Sequence, residues 1–378
     1  MRIAVVREST EEEDRRIPLI PAGAQKLVEL GASIGVEAGI GLTIGFADRD
    51  YGDVGVEVVK DRRKLLESAD MVLRLRKPSA EDVEGMKPGC VLVGFLDPFN
   101  ERELLDRLAK ARITSLCMEL IPRTTLAQKM DALSSQANLA GYAAVIVAAA
   151  ALDKIFPMMS TPAGTIPPAR VFVVGAGVAG LQAVATAKRL GAIVEAYDTR
   201  PAVEEQVRSL GGRFVKIDVG ETGETEQGYA RELTEEQLAR QREGMARHCE
   251  KADAVITTAQ VFGRRAPRII TEDMVARMKP GSVVVDLAVE SGGNVAGSEL
   301  GKVVVKNGVK IIGFAPLSAR VALAASQMYS SNVVNLVAHF WDKEAKTFVL
   351  NPENEIIRGC LVTHDGEIRH ELFRKEGV

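Results

Sequence analysis

The apolar run Val171-Phe172-Val173-Val174 leads directly into Gly175-Ala176-Gly177-Val178-Ala179-Gly180, and Leu181 to Leu190 continues with helical periodicity. Gly-x-Gly-x-x-Gly between a strand and a helix is a dinucleotide-binding pattern. Gly175 permits the tight turn, Gly177 lets backbone approach a pyrophosphate, and Gly180 allows the helix to pack closely on the strand. The helix N-terminus offers the phosphates free N–H groups and the positive end of its dipole. The next apolar run, Ile193–Tyr197, ends in Asp198, 18 residues beyond Gly180. A carboxylate there accepts from adenosine ribose hydroxyls and repels a 2′-phosphate, which favours NAD(H) over NADP(H). Arg200, two residues on, weakens that preference, because a guanidinium suits a 2′-phosphate. The competing structural reading is a Gly-rich turn followed by an exposed acid.

A dehydrogenase that oxidises an alcohol or amine needs a proton acceptor, and no clear one presents itself. His248 and His339 read as ordinary helix residues, and His364 and His370 lie in a polar tail. Asp97, Asp286 and Glu290 follow strand-like runs, with Arg74 and Arg76 near them in pattern, but each reads equally well as a solvated charge or a helix cap. The most polar cluster is Arg123, Gln128, Asp131, Ser134 and Gln136. On one helix, Gln128, Asp131, Ser134 and Ser135 share a face. That face suits an interdomain cleft; Asp131 suits equally well simple N-terminal capping and dipole complementarity.

These residues need elements to position them. Strand-like runs at Ile3–Val6, Ser33–Glu37, Met71–Leu75, Val91–Phe95 and Thr114–Cys117 alternate with helical patterns such as Pro21–Leu30 and Asn100–Lys110. An uncharged helix spans Ala132 to Leu152, followed by a stiff, turn-rich connector from Thr161 to Pro168. The alternation then restarts with Arg170–Val174, Ile193–Tyr197, Arg213–Ile217, Ala254–Thr257, Ser282–Asp286 and Val309–Gly313. Such continuous apolar runs fit strands covered on both faces. The reading is α/β: two doubly wound Rossmann-like domains with mainly parallel sheets and an interdomain cleft, the boundary falling near 130–165. Val321–Phe340 reads as a helix. Val219 to Arg247 is polar and breaks the rhythm; Thr234-Glu235-Glu236-Gln237 reads as a capping box within it. This excursion is either a lid or a tolerated insertion.

Composition removes other classes. The chain has 378 residues, 46% hydrophobic and 26% charged, with a net charge of -3. That balance excludes disorder, and the absence of a basic stripe argues against nucleic acid as a partner. Cys90, Cys117, Cys249 and Cys360 are scattered and share no ligand spacing with the histidines, so neither a metal site nor a disulfide framework is read. The N-terminus has no apolar signal region. The run Ala144–Ala151 is too short for a span of ~20 residues. Together these features point to a reducing cytosolic setting.

Several segments also resemble the NAD(H)-binding domain I, on the alpha subunit, of the proton-translocating NAD(P) transhydrogenase family. They are Arg123 to Tyr142 (with Ser134-Ser135-Gln136-Ala137-Asn138-Leu139-Ala140-Gly141-Tyr142), Gly175–Leu190, Gly228-Tyr229-Ala230, and Lys279-Pro280-Gly281-Ser282 running to Glu290-Ser291-Gly292-Gly293-Asn294. The match extends over essentially the whole chain. Glu12 to Pro21 and Gly39–Tyr51 also resemble the related alanine dehydrogenases. In that pattern a substrate-binding lysine falls at Arg76, a catalytic histidine at Asp97 and an aspartate at Glu290; Arg16 survives. The lysine and histidine are absent, and amino-acid oxidation loses its acid–base groups with them.

The resemblance implies direct, Re/Si-specific hydride transfer from NADH to NADP+ held by a partner subunit, coupled to proton translocation by membrane partners. Such chemistry is positioning and needs no substrate base. It implies that Arg123, Gln128, Asp131, Ser134 and Ser135 grip the dihydronicotinamide and its ribose, with Gln128 and Asp131 nearest the reaction and Gln128 bridging toward the NADP(H) side. It implies that Gly175, Ala176, Gly177, Val178, Ala179 and Gly180 hold the pyrophosphate. Asp198, Thr199 and Arg200 would hold the adenosine ribose, with Ala259 and Gln260 nearby. Gly228 and Tyr229 would ride on a loop that closes over bound nucleotide. It further implies a first domain of 1–135 plus 330–378, an NAD(H)-binding domain of 136–329, and a homodimer. The cytoplasmic location would be peripheral, on the membrane face, through partner subunits. The competing activities are an NAD-dependent alanine-type dehydrogenase and a non-catalytic NAD(H)-sensing module.

Overall fold

The structure is a computed structural model that describes residues 1–8, 14–218, 234–260 and 263–374. The chain divides into two units, Met1–Gln136 with Ala322–Val378, and Ala137–Val321. Each is an α/β unit built on its own sheet.

In the first unit, six parallel strands lie in the order Thr114–Cys117, Val91–Gly94, Met71–Leu73, Arg2–Val5, Ser33–Glu37 and Glu57–Val59. The tail returns here: Leu361–His364 pairs antiparallel with Thr114–Cys117, and Glu367–Ile368 completes the edge. Periodicity alone did not reveal that return. The helix Ala322–His339 also belongs to this unit, placing Tyr329, Val333, Leu336 and Val337 in its core. The Pro21–Glu29 helix starts on its proline, which needs no N–H partner at that position.

The second sheet runs Arg213–Phe214, Ile193–Tyr197, Arg170–Val174, Ala254–Thr257, Val283–Asp286, Val309–Ile312 and Val303–Lys306, all parallel except the last. Its strand alternation explains why both faces are covered. Val171, Val173, Ala254, Ile256, Val283 and Val285 enter one core. Phe172, Val174, Val255 and Val284 enter another on the opposite face. Strand order reverses between Arg170–Val174 and Ala254–Thr257, and in open α/β sheets ligands bind beyond the carboxyl ends of strands at such a reversal.

Three expectations change. Residues 159–166 form an exposed antiparallel hairpin, Met159–Thr161 with Gly164–Ile166, where the sequence reads as a stiff, turn-rich connector beginning at Thr161. Its turn, Thr161-Pro162-Ala163-Gly164, supplies both proline and a glycine at φ +131. Gln128, Asp131, Ser134 and Ser135 do not share one helix: Gln128–Met130 is a 3-10 turn, Asp131 is extended at φ -70 and ψ 92, and the helix Ala132–Ala151 begins after it. That helix also has the length and composition to cross a membrane, which the short alanine run alone did not suggest. Ala143, Ala144, Val145 and Ala148 pack in the core of the second unit, and Gly141 brings its backbone against Ala179, whose carbonyl oxygen lies 2.1 Å from where a Cβ would stand. These contacts seat one face of the helix in the core, while Tyr142 and Ile146 on it are exposed. The capping box at Thr234 is present: Thr234 Oγ1 accepts from the Gln237 N–H at 3.3 Å, and Gln237 Oε1 accepts from the Thr234 N–H at 2.9 Å. The rest of the polar excursion, 219–233, lies outside the described residues.

Candidate functional site

The Gly-rich loop lies at the reversal of the second sheet. Gly175 closes the first strand at φ +96, a conformation that suits glycine, and donates its N–H to Tyr197 O at 2.8 Å. A Cβ on Gly175 would stand 2.7 Å from Thr258 Oγ1, and one on Gly180 would stand 1.9 Å from Gly175 O. Both glycines are therefore demanded by the fold. Gly177 differs. It precedes the helix Val178–Arg189 with ordinary extended angles, φ -77 and ψ -165. A Cβ there would meet no atom within 4 Å. The fold itself does not require glycine at 177, and the space beside it is open where the pattern puts a pyrophosphate.

Asp198, at the end of the neighbouring strand, accepts the Ala176 N–H at 2.7 Å through Oδ2 and the Arg200 N–H at 2.9 Å through Oδ1. The Arg200 guanidinium pairs with the same carboxylate at 3.0 Å. Asp198 thus ties the glycine loop to the adjacent strand end, and Arg200 partly screens its charge. Thr199, like Asp198 and Arg200, is half-buried; Val178 is exposed and Ala179 half-buried. The third wall of the site is held by a residue the sequence pattern passes over. Asn294 is fully buried: its amide donates to Ala259 O and Pro267 O at 2.8 and 2.9 Å, and its Oδ1 accepts the Ala259 N–H at 3.0 Å. Gln260 is exposed and donates to Leu287 O at 3.1 Å. Gly228 and Tyr229 lie outside the described residues.

Asp286 is neither a solvated charge nor a helix cap. It is fully buried and accepts from the N–H groups of Ala288, Asn294 and Val295, so it shapes the loop carrying Asn294. The signal was present in Asp286 followed by the Gly292-Gly293-Asn294 turn, where Gly292 and Gly293 take φ +105 and +79. Asp97 and Glu290 are exposed.

In the first unit, Asp131 accepts the Ser134 N–H at 2.9 Å and the Ser134 hydroxyl at 2.6 Å. This is the capping role. Ser135 donates its hydroxyl to Asn332 Oδ1 at 2.7 Å and to Ala132 O at 3.1 Å. Gln128 and Arg123 are exposed. Buried Arg16 and Asp14 form a set with half-buried Arg76. Asp14, with a side chain only 2% exposed, receives Arg16 at 2.7 and 2.9 Å and Arg76 at 2.6 and 3.1 Å. Burial alone would raise its pKa, but the two guanidiniums outweigh it and hold the carboxyl down at about 2. Arg74 pairs with Glu8 at 3.4 Å and tightly with Asp82. Burial dominates at Glu8 and pushes its carboxyl up. Cys90, Cys117, Cys249 and Cys360 are buried free thiols, and burial pushes those of Cys90, Cys249 and Cys360 up to about 12. Such thiols are inert as nucleophiles. Among the described residues no group of three or more His, Cys, Asp or Glu is placed to hold a metal ion.

Residues 4–140 match the model of the alanine dehydrogenase/PNT N-terminal domain, and residues 144–371 that of its C-terminal domain. The chain is 45% identical over 385 residues, covering all of both chains, to the Rhodospirillum rubrum chain named as the first portion of NAD(P) transhydrogenase subunit alpha. It is 31% identical to alanine dehydrogenase 2 of Staphylococcus aureus, covering 78% of this chain and 73% of that one. A transhydrogenase structure from Sinorhizobium meliloti superposes with a TM-score of 0.88 at 43% identity, covering 97% of this chain and 100% of the other. With both domain models matched in order along one chain, the protein belongs to the alanine dehydrogenase/PNT family and is a relative of its transhydrogenase alpha subunits.

Proposed function

We propose that this chain is the NAD(H)-binding component of a proton-translocating, Re/Si-specific transhydrogenase. In this reading hydride passes directly from NADH to NADP+ held by a partner subunit, and membrane partners couple the transfer to proton movement. The observation that carries the cofactor assignment is the glycine loop at the strand-order reversal. There Gly175 and Gly180 are fixed by packing, while Gly177 faces open space. Gly177, Val178 and Ala179 would present N–H groups to the pyrophosphate, with Ala176 beside them holding the loop in place through its bond to Asp198. Asp198, with Thr199 and Arg200 beside it, would take the adenosine ribose, and Ala259 and Gln260 would line the same end. Arg123, Gln128, Asp131, Ser134 and Ser135 would hold the nicotinamide and its ribose, and Tyr229 with Gly228 would close over them.

Two features favour this over oxidation of an amino acid. Position 97 carries an exposed Asp, and Arg16 and Arg76 are both engaged by Asp14 rather than left to a substrate carboxylate. Hydride exchange between two nicotinamides needs neither a base nor such a grip, so catalysis reduces to alignment of donor and acceptor. The Rhodospirillum rubrum relative is named as one portion of a divided subunit, which supports further chains in the assembly. We place the protein on the cytoplasmic membrane face through those partners, as a homodimer; exposed Met158, Met159 and Ile166 at the 159–166 hairpin support a protein contact there.

The test is to mix the protein with an NADP(H)-binding partner and follow hydride exchange between NADH and an NADP analogue. Exchange is the expected result; its absence together with robust alanine oxidation would assign the chain to the dehydrogenases. Gln128→Asn should slow exchange sharply while barely changing NADH binding, which separates a catalytic component from an NAD(H) sensor. An unchanged rate would remove Gln128 from the reaction.

A further inference from the structure

We infer that Asn332, together with Asn335, is a positioning residue for the turn that carries Gln128 and Asp131. The inference rests on the reading that those two residues act in hydride transfer. All of the groups involved lie in the first unit. The Gln128–Met130 turn is short, and 3-10 geometry gives it little strength of its own. It is followed at once by Asp131 in an extended conformation, so the backbone changes course at the residues proposed to hold the nicotinamide. Something outside the turn must fix it.

The helix Ala322–His339 does so through one face. Asn332 Nδ2 donates to Lys129 O at 3.0 Å, and Asn335 Nδ2 donates to the same oxygen at 3.1 Å. Two amides therefore fill both acceptor positions of one carbonyl, the middle one of the turn. The other end of the Asn332 amide, Oδ1, accepts the Ser135 hydroxyl at 2.7 Å. One buried side chain, 7% exposed, thereby ties the turn to the first helical residues beyond it and sets their separation. A second tie lies one residue on: Gln136 Nε2 donates to Ala325 O at 3.0 Å and its Oε1 accepts Arg16 Nη1 at 2.8 Å. With Asp131 capping through Ser134, the segment from Lys129 to Gln136 is clamped on both sides of its bend. Alignment is the whole of catalysis in direct hydride transfer, and displacements of about 1 Å cost ~100-fold in rate. Asn332 touches no reacting atom; it acts through Lys129 and Ser135.

The experiment uses the full chain with Asn332→Ala and, as the gentler variant, Asn335→Ala. Asn335 is only half-buried, so its loss disturbs the core less. Amide hydrogen exchange is read at Gln128, Met130 and Asp131, whose N–H groups donate to Thr124 O, Ala127 O and Gln128 O. Both variants should speed exchange at these amides and leave the Arg170–Val174 strand unchanged. Reconstituted with the NADP(H)-binding partner, they should lose at least tenfold in kcat for hydride transfer, Asn332→Ala more than Asn335→Ala, with the NADH Kd within about twofold of the parent. Ser135→Ala should reproduce some of the Asn332→Ala loss. Unchanged turn exchange in both variants would overturn the positioning role. Faster exchange at the turn with kcat unchanged would overturn its place in the reaction. If the parent protein itself transfers no hydride, the functional reading fails, and hydrogen exchange still decides whether Asn332 fixes the turn.

Discussion

Replacing Gly177 and Gly180 with alanine separates a glycine the ligand needs from one the fold needs. At Gly180 the new methyl would stand 1.9 Å from Gly175 O and 3.1 Å from Thr258 Oγ1. Favourable heavy-atom contacts lie at about 3.5–4 Å, so the glycine loop would have to move by more than 1 Å, roughly, against a buried strand. Overpacking of that kind costs ~1–3 kcal/mol, and at ~2–4 °C per kcal/mol for a unit of this size Tm should fall by several degrees. At Gly177 the methyl meets nothing within 4 Å and the backbone angles are ordinary. Reduced freedom of the unfolded chain stabilises by about 0.4–1 kcal/mol, and alanine's poorer fit at a helix N-cap opposes it by a similar amount. Tm should therefore stay within about 4 °C of the parent. NADH affinity should nonetheless fall at least tenfold, ~1.4 kcal/mol, because the methyl occupies the space assigned to the pyrophosphate. Thermal unfolding and calorimetric titration of both variants make the comparison. Parental NADH affinity in Gly177→Ala would refute the placement of the pyrophosphate. A large loss of Tm in that variant would refute the claim that the space is open.

Asp198→Ala should weaken NADH binding by ~1–3 kcal/mol, the range for a lost charged hydrogen bond, while Asp198→Asn keeps an acceptor for the Ala176 N–H and should bind between the two; calorimetry showing no change in either variant would remove Asp198 from the ribose. Asp14 predicts a pH dependence. Its folded pKa of about 2 lies below the ordinary 3.8, so its contribution, about 2 kcal/mol, is present above pH ~4 and lost as pH falls from ~4 toward ~2. Glu8 is shifted upward, so its contribution improves on acidification above its ordinary pKa of 4.5 and gives no loss below 4. Denaturant titrations should show Asp14→Asn flattening the profile between pH 4 and 2, and an unaltered profile would break the assignment.

Much of the candidate site is legible in sequence because its determinants are local. Gly-x-Gly-x-x-Gly works over six residues, and the strand before it, the helix after it and Asp198 at the next strand end are each set by short-range periodicity. The same holds for the capping box at Thr234 and the boundaries of strands such as Arg170–Val174 and Ile193–Tyr197, which the structure reproduces. Gln128 to Ser135 reads as one helical face because i, i+3 spacing fits a helix whether or not one forms. Here Asp131 caps the helix at Ala132 and forces a bend before it.

The sequence by itself therefore determined two α/β halves and a dinucleotide fingerprint, since short-range pattern suffices for each. Only the tertiary structure decided which glycines the fold needs, because that depends on Thr258 and Gly175 O meeting across a strand reversal. It also decided that Asp14 fills the grip of Arg16 and Arg76, that Asp286 and Asn294 shape one wall of the site, and that Asn332 fixes the Lys129 turn some 200 residues away in sequence. Hydrogen bonds between residues so far apart leave no period in the chain; they exist only once packing has brought both partners out of water and made an unpaired amide or carboxylate costly.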